Sequence, residues 1–160
     1  MKRVLICGFI FIFCTSFHTH RTESNKLSLV VGVNGRNVNN LSLKVTLINN
    51  TSDTVKYISM DCSWQESYRI NSDKWKIDIS ICYKNGRVII SLPPHQRTSK
   101  ILYLTKKEGI SKFETMKFKI GFNFIPLNES KNIPSKFDYF FKIENIIWSN
   151  TITTNYISKK

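Results

Sequence analysis

The chain has 160 residues, 41% of them hydrophobic, and a formal net charge of +13. This length suits one domain, and the apolar content is too high for an intrinsically disordered protein. The chain contains no alanine, the best helix former, and is rich in β-branched and aromatic residues, so its composition favours β structure.

The first 16 residues have the pattern of an export signal. Lys2 and Arg3 form a charged start, and Val4–Phe13 is an apolar run broken only by a glycine. This run is too short for a membrane-spanning helix, which needs about 20 residues. We therefore expect an exported, periplasmic or extracellular protein. We expect a signal peptide at residues 1–16, a flexible segment at residues 17–25 and a single domain at residues 26–157.

The end of the signal leaves a second interpretation open. A lipoprotein signal also ends at a cysteine, which then carries the lipid, and Cys14 stands at a suitable position. Phe13 precedes it, however, where lipoproteins have a small residue. The alternative is an outer-membrane lipoprotein anchored through Cys14, and membrane attachment is expected only in that case.

Strand patterns begin directly after the flexible segment. Apolar and polar residues alternate through Leu41–Leu47, which is typical of a strand with one face on a core. Neighbouring strands are predicted at Lys26–Val33 and Val55–Met60, the second after the turn-forming stretch Asn49–Asp53. Ser63–Lys74 is mostly polar and is predicted to be a loop with room for one helical turn.

The clearest alternation in the chain covers Trp75–Tyr83. Asn85 and Gly86 follow it, and a second alternating run covers Val88–Leu92. An Asn-Gly pair between two such runs is the strongest short-range hairpin signal, so we expect these two strands to pair directly.

The remaining strands complete an all-β pattern. They are predicted at Lys100–Thr105, Phe118–Phe124, Phe137–Glu144 and Ile146–Thr153. About seven to nine short strands, separated by turns and without a convincing helix, indicate an antiparallel β-sandwich.

Cys62 and Cys82 are the two cysteines outside the N-terminal signal. In an oxidising compartment they would form a disulfide, which would stabilise the fold by about 3 kcal/mol. Free thiols and a metal pair are the alternatives, but a zinc site needs four ligands at local spacing, which the sequence lacks. Cys82 shares the polar face of its predicted strand. We therefore expect the bridge on the solvent side or between neighbouring strands, unlike the core bridge of an antibody domain.

The sequence contains no recognisable catalytic constellation. His95 follows two prolines without the nucleophile and orienting acid of a hydrolase, so we expect an exposed loop histidine. G-x-S-x-G, H-E-x-x-H, C-x-x-C and phosphate-binding glycine motifs are absent. His18 and His20 would suit copper or zinc near a free amino terminus, but chance occurrence in a tail is the preferred interpretation. We expect no enzyme activity, no metal and no cofactor.

Three aromatic residues are the candidate ligand-binding residues. They are Trp64, Tyr68 and Trp75, near the acidic Asp61, Glu66 and Asp73. Aromatics beside acids bind sugars by stacking and hydrogen bonding, but they would equally cover one end of a sandwich core, which we prefer. The net charge predicts a weak attraction to polyanions, whereas the scattered basic residues argue against specific nucleic-acid binding. The expected partner is an unknown protein or glycan.

Several turn motifs resemble small exported immunoglobulin-like proteins of Bacteroidetes. The matching pieces are Leu43–Asp53, Ile77–Ile81 before Asn85-Gly86, Ser91–Pro94 and Ile147–Asn150. A fainter similarity is to the BsuPI-type proteinase inhibitor domain, in which a glycine stands where Pro94 does here. The resemblance implies an immunoglobulin-like β-sandwich acting as a non-enzymatic binding module. The alternatives are a protease inhibitor that acts through a loop, and a lipid-anchored surface protein that binds a glycan or another polyanion.

Overall fold

The computed structural model describes residues 26–37, 39–108, 115–127 and 145–154. The predicted signal peptide with Cys14, the flexible segment with His18 and His20, and the predicted strand Phe137–Glu144 lie outside these residues. No helix in the described ranges is both long and apolar enough to cross a membrane.

Eleven strands and one short 3₁₀ helix make up the described part of the chain. The strands are β1 Leu27–Arg36, β2 Asn40–Asn49, β3 Val55–Met60, β4 Tyr68–Ile70, β5 Trp75–Ile77, β6 Arg87–Leu92, β7 Arg97–Lys106, β8 Met116–Phe118, β9 Ile120–Asn123, β10 Ile146–Trp148 and β11 Ile152–Thr154. The 3₁₀ helix covers Trp64–Ser67 and leads directly into β4.

All strand pairs are antiparallel, as predicted. One sheet has the order β1-β2-β7-β5, and the others are β10-β9-β4, β11-β8 and β3-β6. Alternate residues of β1, β2 and β7 meet side chains of the smaller sheets in one core. Its largest fully buried side chains are Phe118, Leu27, Leu41, Leu43, Leu47, Leu102, Leu104 and Ile120. This arrangement confirms the predicted all-β sandwich, whereas the immunoglobulin-like assignment stays a prediction.

The structure has more strands than the predicted seven to nine for two reasons. Two of the predicted strands are each split in two, and an additional short strand, β4, lies in the predicted loop Ser63–Lys74. Phe118–Phe124 divides at Lys119 into the end of β8 and β9, and Ile146–Thr153 divides into β10 and β11. Ser149 bridges the second interruption: its amide donates to the Ile120 carbonyl at 2.8 Å. Its hydroxyl accepts from the Ile120 amide at 3.1 Å. These bonds satisfy backbone groups where the ladder stops.

The predicted hairpin between Trp75–Tyr83 and Val88–Leu92 is wrong. β5 ends at Ile77 and pairs with β7, whereas β6 pairs with β3. Neither Asn85 nor Gly86 has the positive φ that the expected hairpin turn requires.

Residues that directly follow β3 form hydrogen bonds to this Asn-Gly pair instead. The Asn85 amide oxygen accepts from the Ser63 backbone amide at 3.2 Å, and its Nδ2 donates to the Ser63 hydroxyl. The Gly86 carbonyl accepts from the Asp61 amide at 2.9 Å, which extends the β3–β6 ladder. The residues that signalled a local turn therefore serve a longer-range strand pairing.

Candidate binding cleft at Trp64 and Lys100

A small cleft opens between the 3₁₀ helix and strands β3, β4, β6, β7 and β9. Its volume is about 90 Å³, and its polar lining comes from Tyr57, Ser59, Tyr68, Thr98 and Lys100, with Trp64 beside them. Whole small-molecule sites occupy about 300–1,000 Å³, and a water molecule about 30 Å³. The cleft therefore has room for a single end group of a larger ligand.

Strand alternation explains how these side chains reach the cleft. Tyr57 and Ser59 are two residues apart on β3 and share the face that turns toward the main core. Thr98 and Lys100 share a face of β7 with the buried Leu102. A lysine on the core-facing side of a strand, at the end where the sandwich opens, places a cation at the rim of the core.

Closely packed aromatic rings form the wall of the cleft. The ring centroids of Tyr57 and Tyr68 lie 5.5 Å and 5.2 Å from that of Phe122. Trp64 meets Tyr68 edge-on, with centroids 5.8 Å apart. All of these distances fall in the favourable range for aromatic pairs. Because β4 and β9 pair Tyr68 directly with Phe122, the backbone ladder holds this wall in place.

The Lys100 ammonium lies over the face of Trp64. Nζ is 4.5 Å from the ring centroid, which is a cation–π geometry. Burial lowers the pKa of Lys100, and the negative charge of Asp61 opposes this shift. Lys100 as a whole is nevertheless exposed, so its ammonium is accessible to an anion from solution.

Two phenol hydroxyls stand in the same cleft. Burial raises the pKa of Tyr57 to about 12. Burial also raises the pKa of Tyr68, and the neighbouring Tyr57 adds to that shift. Within the ranges that the structure describes, neither hydroxyl has a hydrogen-bond partner. Both stay protonated at neutral pH and are available as donors to a ligand.

The structure brings together two of the three predicted ligand-binding residues. Trp64 and Tyr68 line the cleft, whereas Trp75 is only 3% exposed and packs against Phe118 with ring centroids 6.5 Å apart. The Trp75 indole nitrogen has no hydrogen-bond partner in the described part of the chain. Trp75 therefore has the core position that we preferred from the sequence.

The cleft also contains residues that sequence reasoning missed. Tyr57 and Lys100 were not singled out, although Lys100 is in register with Leu102 and Leu104 on the apolar face of β7. A lysine on an apolar strand face is the signal that would have identified it. The acidic neighbours expected near the aromatics do not line the cleft, and Asp61 acts on Lys100 only through its charge.

The predicted disulfide between Cys62 and Cys82 is present, with the Cα atoms 6.0 Å apart. Cys62 is exposed and Cys82 is half-buried, so the bridge lies at the surface. His95 is exposed too, with a φ of 56° in a turn closed by a 3.2 Å bond from the Gln96 amide to the Pro93 carbonyl. In the described ranges, no group of three or more histidine, cysteine or acidic side chains is arranged to hold a metal ion.

No protein-family model matches the chain, and no curated protein is significantly similar to it.

Proposed function

We propose that this protein is an exported, non-enzymatic binding module that receives a carboxylate group of its partner in the cleft beside Trp64 and Lys100. One observation carries the proposal: an accessible ammonium over the Trp64 ring lines the same cleft as two phenols whose hydroxyls have no partner within the described residues. An ammonium and a phenol are both donors, and a carboxylate accepts from both in charge-assisted bonds.

The size of the cleft defines which part of the partner enters it. A space of about 90 Å³ accepts a carboxylate and its neighbouring methylene, but not a complete metabolite. The carboxylate would therefore belong to an acidic side chain, a chain terminus or an acidic sugar of a larger molecule. This role agrees with a domain that recognises a protein or a glycan.

The charge of the whole domain favours the same class of partner. The described residues contain 15 lysines and arginines but only six acidic side chains. Such an excess draws an anionic partner toward the surface before contact and raises the association rate. Lys100 would then bind the one anionic group of the partner that fits into the cleft.

Titration of Trp64 fluorescence tests the proposal. A tetraglutamate peptide and an oligogalacturonate serve as probes, since they present carboxylates on a peptide and on a glycan. We expect saturable quenching by at least one probe, and no such signal in Trp64→Phe, which keeps the other tryptophans.

The matched variants remove one positive charge inside or outside the cleft. Lys100→Gln should weaken binding by about tenfold or more, because a hydrogen bond to a charged group contributes about 1.5–3 kcal/mol. Lys117→Gln changes an exposed lysine on β8 and should have little effect. Equal losses in both variants, or no saturable quenching by either probe, would show that the cleft is not the binding site.

The N-terminal part of the proposal has a separate test. The mass of the mature protein isolated from the producing cell distinguishes cleavage after Ser16 from a lipid-modified Cys14. A mature protein that retains residues 1–16 would refute export through this signal.

A further inference from the structure

The segment between β5 and β6 carries the two most exposed large apolar side chains of the described chain, Ile81 and Tyr83, and a half-exposed third, Ile79. Ile81 is 89% exposed, Tyr83 is 100% exposed and Ile79 is 50% exposed. We call these three residues the apolar tip. Single exposed apolar residues are common on protein surfaces, but clusters such as these three within five positions are typical of interaction sites.

The apolar tip is held in place rather than left loose. The disulfide between Cys62 and Cys82 anchors its centre, and the Ser80 hydroxyl accepts a 2.9 Å bond from Nε2 of Gln65. On either side, Asp78 and Gly86 make 2.9 Å backbone bonds to neighbouring elements. These tethers limit the freedom of the segment before contact, which reduces the conformational entropy lost when the tip binds.

The size of the tip argues against a protein as its main occupant. A stable protein interface covers about 800 Å² on each partner and involves about 20–30 residues a side. Here three large apolar side chains project from one short segment. A few projecting apolar side chains are enough, however, for shallow attachment to a lipid surface, where tyrosine is enriched at the headgroup level.

Charge specifies which lipid surface would attract the tip. Lys84 is exposed and directly follows Tyr83, and basic residues outnumber acidic ones 15 to six over the described chain. Asp61 lies at the base of the tip, and Asp78 is engaged by the Thr105 hydroxyl at 2.8 Å. The surplus of positive charge favours a membrane that contains anionic lipid.

The backbone limits how deep such an insertion can be. Residues 79–82 lie outside the strand ladders, and Tyr83 and Lys84 form a turn. Unpaired amides and carbonyls are too costly to place in hydrocarbon, so they must stay hydrated among the headgroups. Only the side chains would reach the boundary with the acyl chains.

We propose that the apolar tip docks this domain on anionic lipid membranes, with Ile81 and Tyr83 entering the headgroup region and basic side chains facing the lipid charge. This attachment is independent of the carboxylate cleft and of any lipid on Cys14.

Vesicle flotation tests the proposal with the chain lacking residues 1–25, so that the signal region does not contribute. Phosphatidylcholine vesicles with about 30% phosphatidylglycerol should bind the domain, and vesicles of phosphatidylcholine alone should bind it far less. The double variant Ile81→Ser with Tyr83→Ser should bind about tenfold or more weakly, because each apolar side chain withdrawn from water adds substantially to affinity.

A matched control replaces two other exposed apolar residues, in the double variant Ile89→Ser with Tyr103→Ser. These side chains are 46% and 57% exposed, and their loss should change vesicle binding by less than about twofold. Thermal unfolding of each variant shows whether it is folded. Failure to bind anionic vesicles, or equal binding by the tip variant, would overturn the proposal. Inhibition of a protease that disappears in the tip variant would assign the tip to a protein groove instead.

Discussion

A buried asparagine at the end of β2 connects two loops of the sandwich and allows a quantitative test. Asn49 is fully buried, and its Nδ2 lies 2.7, 3.0 and 2.9 Å from the carbonyl oxygens of Asp53, Leu92 and Pro93. Its Oδ1 accepts from the amide and the hydroxyl of Thr51, at 2.9 and 2.8 Å. One side chain therefore holds the β2–β3 turn against the end of β6.

The hydrogen bonds set the size of the expected effect. An amide nitrogen has two hydrogens, so the three carbonyl contacts count as two full bonds, and with the two accepted bonds the total is about four. At about 1 kcal/mol each, less the part that water restores at the partly buried contacts, Asn49→Ala should cost about 3 kcal/mol. The unfolding midpoint should fall by about 6–12 °C.

Urea denaturation at neutral pH measures this cost as a shift in midpoint at an unchanged slope. The control is Asn50→Ala, since the exposed Asn50 side chain makes only a 3.5 Å contact with Ser28 within the described residues, and its loss should cost less than about 0.5 kcal/mol. A cost below about 1 kcal/mol for Asn49→Ala, or equal costs for the two variants, would refute the reasoning.

Asn49→Asp gives the same site a pH dependence. A carboxylate would face three carbonyl oxygens, so burial and repulsion would raise its pKa above the unfolded value of about 3.9. The folded state then binds a proton more readily than the unfolded chain. The loss of stability should be full above the folded pKa and should shrink as the pH falls through it.

Three further predictions concern the core, the disulfide and a close backbone approach. Burial raises the pKa of Tyr57 from 10.0 to about 12, so the unfolding free energy should fall through that pH range, by about 1.4 kcal/mol per pH unit for this group. In urea titrations, Tyr57→Phe should remove this contribution and leave that of Tyr68, whose pKa burial also raises. Reducing the Cys62–Cys82 bridge, which spans 20 residues, should cost about 3 kcal/mol, and the double serine variant should not respond to reductant. Gly121→Ala would place a methyl carbon 2.5 Å from a β10 side chain and should cost about 1–3 kcal/mol, whereas Gly32→Ala meets open space and should be nearly neutral in the same assay. Equal costs at the two glycines would contradict the packing argument.

Local patterns predicted individual strands better than they predicted strand partners. The alternation in Leu41–Leu47 corresponds to β2, and Val55–Met60 coincides with β3. The clearest alternation, in Trp75–Tyr83, gives strand pairing only as far as Ile77. Beyond it the chain leaves the edge of β7, and Ser80 and Cys82 are bonded to Gln65 and Cys62, which follow β3. Alternation shows which side chains share a face, but it does not show which strand lies alongside.

The residues of the cleft were likewise predicted only where they are close together in the sequence. Trp64 and Tyr68 were chosen from composition and nearness in sequence, and both line the cleft. Lys100 and Tyr57 complete it from other strands, because β7 and β3 approach the 3₁₀ helix only in the folded sandwich. Trp75 is close to the other two aromatics in sequence but packs beside Phe118 in the core.

The sequence by itself determined that this chain is an antiparallel all-β protein and predicted the disulfide between Cys62 and Cys82, because period-two alternation and the number of cysteines can be recognised along the chain. Only the tertiary structure decided that a lysine stands over Trp64 beside two phenols, and that Ile81 and Tyr83 point into solvent. The reason is physical: side-chain alternation is a local property of the strand, whereas burial depends on which distant strands cover each face.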